Sequence, residues 1–129
     1  MAITAIPRDQ LAAALREGEE ASSAELFNVA LSKDAKIRES LAARPDAPLS
    51  VLIRLAQDSK SSVRMALAGN PAVGGAFSVL SILAGDKDTD VALALVSNAA
   101  TPVGTLRTLA EHNKKNVRRA AQARLLALN

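Results

Sequence analysis

The fold is decided by two segments, SVLIRLAQDSKSSV (residues 50–63) and SVLSILAGDKDTDV (residues 78–91), because the second repeats the pattern of the first 28 positions later. Two further segments align with them at a spacing of 26, AELFNVALSKDAKI (residues 24–37) and GTLRTLAEHNKKNV (residues 104–117). Recurrence at this spacing is typical of helical-repeat proteins, in which each copy is a pair of helices stacked on its neighbours.

Apolar columns run through the aligned segments at the spacing i, i+3, i+4, which is one face of a helix. The columns are Leu26, Leu52, Leu80 and Leu106; Val29, Leu55, Leu83 and Leu109; and Ala30, Ala56, Ala84 and Ala110. Two columns four positions apart follow: Ile37, Val63, Val91 and Val117; and Leu41, Leu67, Leu95 and Ala121. Each unit is therefore predicted to be a first helix, a polar turn, a second helix and a return loop.

The prediction for the whole chain is an all-α fold, an α-solenoid of about four and a half two-helix repeats in a single domain of 129 residues. Leu11 and Leu15 continue the second-helix columns, so residues 1–23 are predicted to be an N-terminal capping half-repeat. The predicted repeats and the C-terminal capping repeat are residues 24–49, 50–77, 78–103 and 104–129.

Polar residues at the predicted helix ends indicate how each helix begins and ends. Asp34 and Asp88 are expected to cap the N-termini of second helices, and Thr101 that of a first helix. Asn70 and Asn98 stand where second helices end, and a left-handed backbone conformation is expected there.

The chain lacks the residues that most catalytic and metal sites require. It has no cysteine and a single histidine, so neither a thiolate site, a catalytic triad nor a zinc site can be assembled. His112 aligns with Asp58 and Asp86 and is predicted to be a solvated turn residue. The run DKDTD resembles the opening of a calcium loop, but Val91 and Ser97 stand where that loop needs glycine and glutamate. We therefore predict no enzyme activity, no catalytic residues, no cofactor and no metal.

Two compositional features bear on location. The N-terminus, MAITAIPRDQ, lacks the basic and apolar regions of a signal peptide, and no segment has the ~18 consecutive apolar residues of a membrane span. The absence of cysteine suits a reducing compartment. A cytoplasmic protein without membrane contact is expected.

The repeats resemble the leucine-rich repeat variant family. The resemblance is carried by VRMALAGNPAV (residues 63–73) followed by VLSILAGD (residues 79–86), and it recurs in IRESLAARPDAP, VALALVSNAATP and VRRAAQARLLA. It implies a right-handed superhelix of α-helices alternating with shorter α or 3₁₀ helices, and HEAT-like repeats are the neighbouring class. The family consists mainly of scaffolds, so the resemblance implies a shape but no reaction. Four residues depart from the pattern: Ala92, Ala99, Ser32 and His112.

Three arginines form a column one position after the Ile/Val column, namely Arg38, Arg64 and Arg118. One hypothesis is that they pair with turn acids such as Asp58 and Asp86 on neighbouring units, for which the planar guanidinium is suited. The other hypothesis is that they form a surface that binds an anion or a partner.

Positive charge is concentrated in the last unit. Residues 1–106 hold ten Lys/Arg and twelve Asp/Glu, whereas residues 107–129 hold six Lys/Arg and one acid. The basic cluster of the last unit is Lys114, Lys115, Arg118, Arg119 and Arg124. It is predicted either to solvate the end of the stack or to bind nucleic acid or another polyanion. No aromatic residue accompanies it to stack on bases.

The middle of the chain favours a protein partner. Residues 65–85 and 91–106 carry no charge, so either a partner or a second copy covers part of this region, or the small, alanine-rich helices of the central repeats are simply more buried. The leading hypothesis is a scaffold that holds a protein along the groove formed by the second helices, itself a monomer or a weak homodimer.

Overall fold

The computed structural model describes residues 22–128, which form eight α-helices and one 3₁₀ helix and contain no strand. The half-repeat predicted for residues 1–23, with Leu11 and Leu15, lies outside the described residues apart from its last two positions. The helices are α1 (Ser23–Ala30), α2 (Ala35–Ala42), α3 (Leu49–Ala56), α4 (Ser61–Ala68), α5 (Phe77–Ala84), α6 (Thr89–Ser97), α7 (Val103–Leu109) and α8 (Lys115–Ala127), and the 3₁₀ helix (Pro71–Gly75) precedes α5. The all-α prediction is confirmed for this part of the chain.

Consecutive helices pair into hairpins, and the hairpins stack. The first helices α1, α3, α5 and α7 contact one another in sequence, and so do the second helices α2, α4, α6 and α8. Within each hairpin the two helices also pack on each other. In outline this arrangement is that of an α-solenoid, in which each unit packs on the units before and after it.

The predicted columns form the core. All their members are buried except Ile37, Ala84 and Ala110, which are partly buried. Most of the helices have only seven to nine residues, too few to be stable in isolation. Burying one leucine stabilises the fold by about 1.5–3 kcal/mol, so the stability of each helix comes from its packing in the stack.

The predicted caps of the second helices are confirmed, and the predicted cap of a first helix is wrong. The Asp34 and Asp88 carboxylates each accept the backbone N–H two residues later, at the starts of α2 and α6. Helix α7 begins after Pro102 without a side-chain cap. The Thr101 hydroxyl instead donates to the Leu95 carbonyl at 2.6 Å, because Thr101 is buried beneath the end of α6.

The predicted left-handed conformation of the two asparagines is also wrong. Asn70 has φ −80° and ψ 125°, and Asn98 has φ −70° and ψ 119°, so both are extended. Both side chains point into the junction between hairpins, where they make hydrogen bonds described below.

The return loop after α4 is ordered as the 3₁₀ helix, in which Val73 is fully buried. Gly74 lies against the next return loop so closely that a Cβ there would stand 2.6 Å from the Ala100 carbonyl oxygen. The adjacent Gly75 has open space around it. Glycine is therefore required at position 74 because two backbones approach each other there.

Candidate interaction surfaces

Two arginines of the predicted column join consecutive hairpins. The Arg38 guanidinium donates from Nε to Asp58 Oδ2 at 2.7 Å and from Nη2 to Asp58 Oδ1 at 3.2 Å. Arg64 holds Asp86 in the same way, at 2.6 Å and 3.3 Å. The predicted pairing with turn acids of the neighbouring unit is confirmed for both arginines, and each pair is bidentate.

These pairs are almost fully shielded from water. The side chains of Arg38 and Arg64 are 10% and 11% exposed, and those of their aspartates 8% and 6%. The third nitrogen of each guanidinium, Nη1, donates at 2.6 Å to a carbonyl six residues earlier in its own hairpin. With every nitrogen engaged inside the stack, these two arginines present little to an external anion. Whether either also contacts a partner stays a prediction.

The departures at Ala92 and His112 belong together. Ala92 replaces the arginine of the third hairpin, and His112 replaces the turn aspartate that this arginine would have held. His112 still serves its turn, because its Nδ1 accepts the backbone N–H of Lys114 at 3.0 Å. Ser32 stands in the first hairpin that the structure describes, and its hydroxyl oxygen accepts the N–H of Asp34 in the same way. The turn needs an acceptor at this position, and only an arginine in the preceding hairpin requires that it be a carboxylate.

A second row of contacts ties the ends of the second helices together. The Asn98 side-chain amide donates to the Ala68 and Asn70 carbonyls at 2.8 and 3.0 Å. The Asn70 amide donates in the same manner to the Ala42 and Arg44 carbonyls, both at 2.9 Å. Each asparagine therefore satisfies two carbonyl oxygens at the end of the preceding second helix, which a helix terminus leaves without partners.

Arg124 continues this row in the last hairpin. It stands 26 positions after Asn98, and its Nη1 donates to the carbonyls of Val96 and Asn98. Arg44, 26 positions before Asn70, pairs with Asp46. Arg124 therefore joins the last hairpin to the one before it, and its Nη1 is engaged within the stack.

The other members of the basic cluster divide into two kinds. Lys114, Lys115 and Arg119 are exposed to solvent. Arg118 is partly buried, and its Nη1 donates to the His112 carbonyl at 2.8 Å. The freely exposed positive surface of the cluster is therefore limited to three side chains at one end of the stack.

The outward face of the second helices forms a continuous surface, here called the second-helix surface, which consists of the outward side chains of α2, α4, α6 and α8. Its central column is charged at both ends and apolar between them, and comprises Glu39, Met65, Leu93 and Arg119. Met65 is 42% exposed and Leu93 is partly buried. The residue that follows the central column in sequence is alanine on both central helices, Ala66 in α4 and Ala94 in α6. The central column and the position beside it are thus apolar on α4 and α6.

The opposite face carries a groove between α5 and α7, with a volume of about 550 Å³. Phe77, which is 81% exposed, forms one wall, and Leu80 lies at its base. The groove is open because Ser81 and Gly85 stand where the first repeat has Phe27 and Leu31. Phe77 was not identified from the sequence, although it aligns at the repeat spacing with Leu49 and Val103, which are also apolar and exposed.

Neither a metal cluster nor a membrane-crossing helix is found in residues 22–128. No three His, Cys, Asp or Glu side chains there are grouped to hold an ion, and none of the helices in that range is long and apolar enough to cross a bilayer.

Comparison of the chain with protein-family models, with curated proteins and with solved structures finds no match. The class of the protein is therefore assigned from its fold. Residues 22–128 form an all-helical protein built from stacked helical hairpins.

Proposed function

We propose that the protein is a non-enzymatic scaffold that binds a protein partner along the second-helix surface and works in the cytoplasm. As part of this proposal, the fold is a right-handed α-solenoid of about four and a half repeats, of the leucine-rich repeat variant or HEAT-like kind. The recurring Val-Arg pair at residues 63–64 and 117–118, the single Asn70-Pro71 and the stacked hairpins support this assignment.

The apolar centre of the second-helix surface is the main support for the proposed binding of a protein partner. Exposed Met65 and half-buried Leu93 lie between the charged side chains of Glu39 and Arg119. An apolar centre within a polar rim is the usual anatomy of a protein–protein interface, and methionine is enriched there. The small side chains Ala66 and Ala94 would let a partner approach the helices closely.

The chemistry of this surface disfavours the other two classes of function. A polyanion binder needs several cations along the bound strand, whereas α4 and α6 present none on this face. An enzyme needs acids, bases or nucleophiles grouped around a substrate, whereas the acid of α6 on this surface, Asp90, is exposed to solvent beside apolar Leu93 and Ala94. Binding of nucleic acid remains the alternative, through Lys114, Lys115 and Arg119 at the C-terminal end.

The proposal is tested by affinity capture from a cell extract with three forms of the full chain: wild type, Met65→Glu and Ser78→Glu. Met65 and Ser78 are both exposed, on opposite rows of helices, so both variants should fold, as circular dichroism would verify. We expect a protein retained by wild type and Ser78→Glu to be lost from Met65→Glu. Equal retention by all three forms would contradict the proposed surface.

A separate arm measures binding of the wild-type chain to a short DNA duplex at several salt concentrations. The scaffold proposal predicts no binding at physiological salt. Salt-sensitive binding that is lost in the variant Lys114→Ala/Lys115→Ala would support the alternative function instead.

A further inference from the structure

The outward face of the first helices, here called the first-helix surface, carries an apolar side chain at the start of three consecutive helices. Leu49 begins α3, Phe77 begins α5 and Val103 begins α7, and they are 52%, 81% and 44% exposed. Because these helices contact one another in sequence, the three side chains form one apolar patch beside the groove between α5 and α7. A contiguous exposed apolar patch marks an interaction site more often than scattered single residues do.

Helix α5 carries a projection and a recess on the same stripe. Phe77, Ser81 and Gly85 are four positions apart, which places them along one side of the helix, and all three line the groove. The Phe77 ring projects at the N-terminal end. At the C-terminal end the small residues Ser81 and Gly85 leave the groove open. The two ends are about 12 Å apart, because an α-helix rises 1.5 Å per residue.

This arrangement is complementary to itself when two copies of α5 meet in opposite directions. A two-fold axis that crosses α5 near Ser81 places Phe77 of each copy over Gly85 of the other. In a symmetric interface of this kind each contact is made twice. The groove, with a volume of about 550 Å³, has room for the incoming ring, and the small side chains at its open end let the helices approach closely.

The charges around the groove also permit self-pairing. Identical faces repel each other when they carry net charge, but residues 71–85 carry none. On α3, the Arg54 guanidinium lies 5.9 Å from the centre of the Phe27 ring of α1, on the side away from α5. At the other edge, exposed Arg107 and Glu111 are four positions apart. Opposite directions bring Arg107 of one copy toward Glu111 of the other, so the rim is electrostatically complementary.

We infer that the first-helix surface of α5 and α7 binds a second copy of this chain, in a two-fold symmetric dimer in which Phe77 of each copy fills the groove beside Gly85 of the other. The contact consists of one antiparallel helix pair and its rim, which is less than a standard interface, so the dimer is weak and depends on concentration. It lies opposite the second-helix surface and does not depend on the function proposed for that surface.

The test is sedimentation equilibrium of the full chain, from low micromolar to near-millimolar concentration, on wild type, Phe77→Ala, Gly85→Leu and the double variant. Leucine suits position 85, because Leu31 occupies the equivalent place at the end of α1 with φ −90° and ψ −1°, and Gly85 has φ −93° and ψ 6°. Phe77→Ala removes an exposed ring, so the fold should persist in every variant, as circular dichroism would verify.

We expect wild type to dimerise and Phe77→Ala to raise the dissociation constant by about a hundredfold or more, because each dimer loses two buried rings. Gly85→Leu should also weaken the dimer, although it adds apolar surface, because it fills both recesses. The double variant should recover about tenfold or more of that loss, because each introduced leucine then meets the space that a ring has left.

Two matched controls locate the contact. Leu126→Ala removes a side chain that is 73% exposed near the end of α8, and Met65→Glu alters the second-helix surface; neither should change the dissociation constant. A wild-type chain that stays monomeric throughout the range would overturn the inference, as would equal weakening by either control. Tighter association of Gly85→Leu would also overturn it, because unspecific apolar contact or a parallel helix pair predicts that result. A monomer that captures another protein through Phe77 would assign the groove to a different molecule.

Discussion

Replacing Arg64 with alanine should destabilise the stack more than any exposed charge substitution. The change removes both hydrogen bonds to Asp86 and the bond to the Asp58 carbonyl, and it leaves the Asp86 carboxylate 6% exposed without its cation. Breaking a buried ion pair by removing one partner costs about 3–5 kcal/mol. Because Asp86 keeps the backbone N–H of Asp88, at 2.9 Å, the expected loss is near the lower end, about 3 kcal/mol.

The free energy of unfolding is measured by urea denaturation, followed by far-UV circular dichroism, on wild type, Arg64→Ala and the control Arg119→Ala. Arg119 is exposed, so its loss should change the free energy of unfolding by no more than about 0.5 kcal/mol. The slope of the transition should stay the same in all three chains, so that midpoints report stability.

A second substitution tests the physical reason for the loss. Serine already serves the equivalent turn at Ser32, where its hydroxyl oxygen accepts a backbone N–H at 3.1 Å. Adding Asp86→Ser to Arg64→Ala removes the buried charge and keeps the turn acceptor, so about half of the lost stability or more should return. The reasoning is refuted if Arg64→Ala lowers the free energy of unfolding by less than about 1 kcal/mol, which is the contribution of an exposed ion pair. It is also refuted if adding Asp86→Ser lowers the free energy of unfolding further.

Three further substitutions test the junctions and the core by the same measurement. Asn98→Asp should cost about 2–3 kcal/mol, because it removes two buried donors from carbonyl oxygens; a neutral result would contradict the role given to the amide. Gly74→Ala should cost about 1–3 kcal/mol through contact with Ala100, whereas Gly75→Ala should be neutral or slightly stabilising; equal effects would show that the return loops do not touch. Leu83→Ala should cost about 2–5 kcal/mol, and a loss under 1 kcal/mol would mean that its column is not the core.

The helices and the core were predictable because they depend on periodicity. Leu55 and Leu83 occupy one column of a 26–28-residue repeat, and any stacked arrangement of the hairpins must bury them. The Arg64–Asp86 pair was predictable as one of two hypotheses for a similar reason. Both residue types recur in register, and the guanidinium reaches a carboxylate on the next unit.

The role of the asparagines was not predictable from spacing alone. Asn70 recurs as Asn98 whether the residue adopts a left-handed conformation or donates across the junction, since both roles place it just after a second helix. One signal was present: Arg124 occupies the same column, and arginine is a strong donor but has no preference for the left-handed region. The exposed Phe77 was missed because its column, which is Leu49, Phe77 and Val103, stands just before the segments by which the repeat was aligned.

The stacking of the hairpins is tested most directly by distances along the row of second helices. The chain has no cysteine, so spin labels can be attached at cysteines introduced in the exposed column Lys36, Ser62, Asp90 and Asn116. Adjacent packed helices are about 8–10 Å apart, so electron-resonance distances from position 36 should rise stepwise, to about 20 Å at position 90 and about 30 Å at position 116. A distance from 36 to 116 no longer than that from 36 to 62 would show helices gathered around one centre and would contradict the stack.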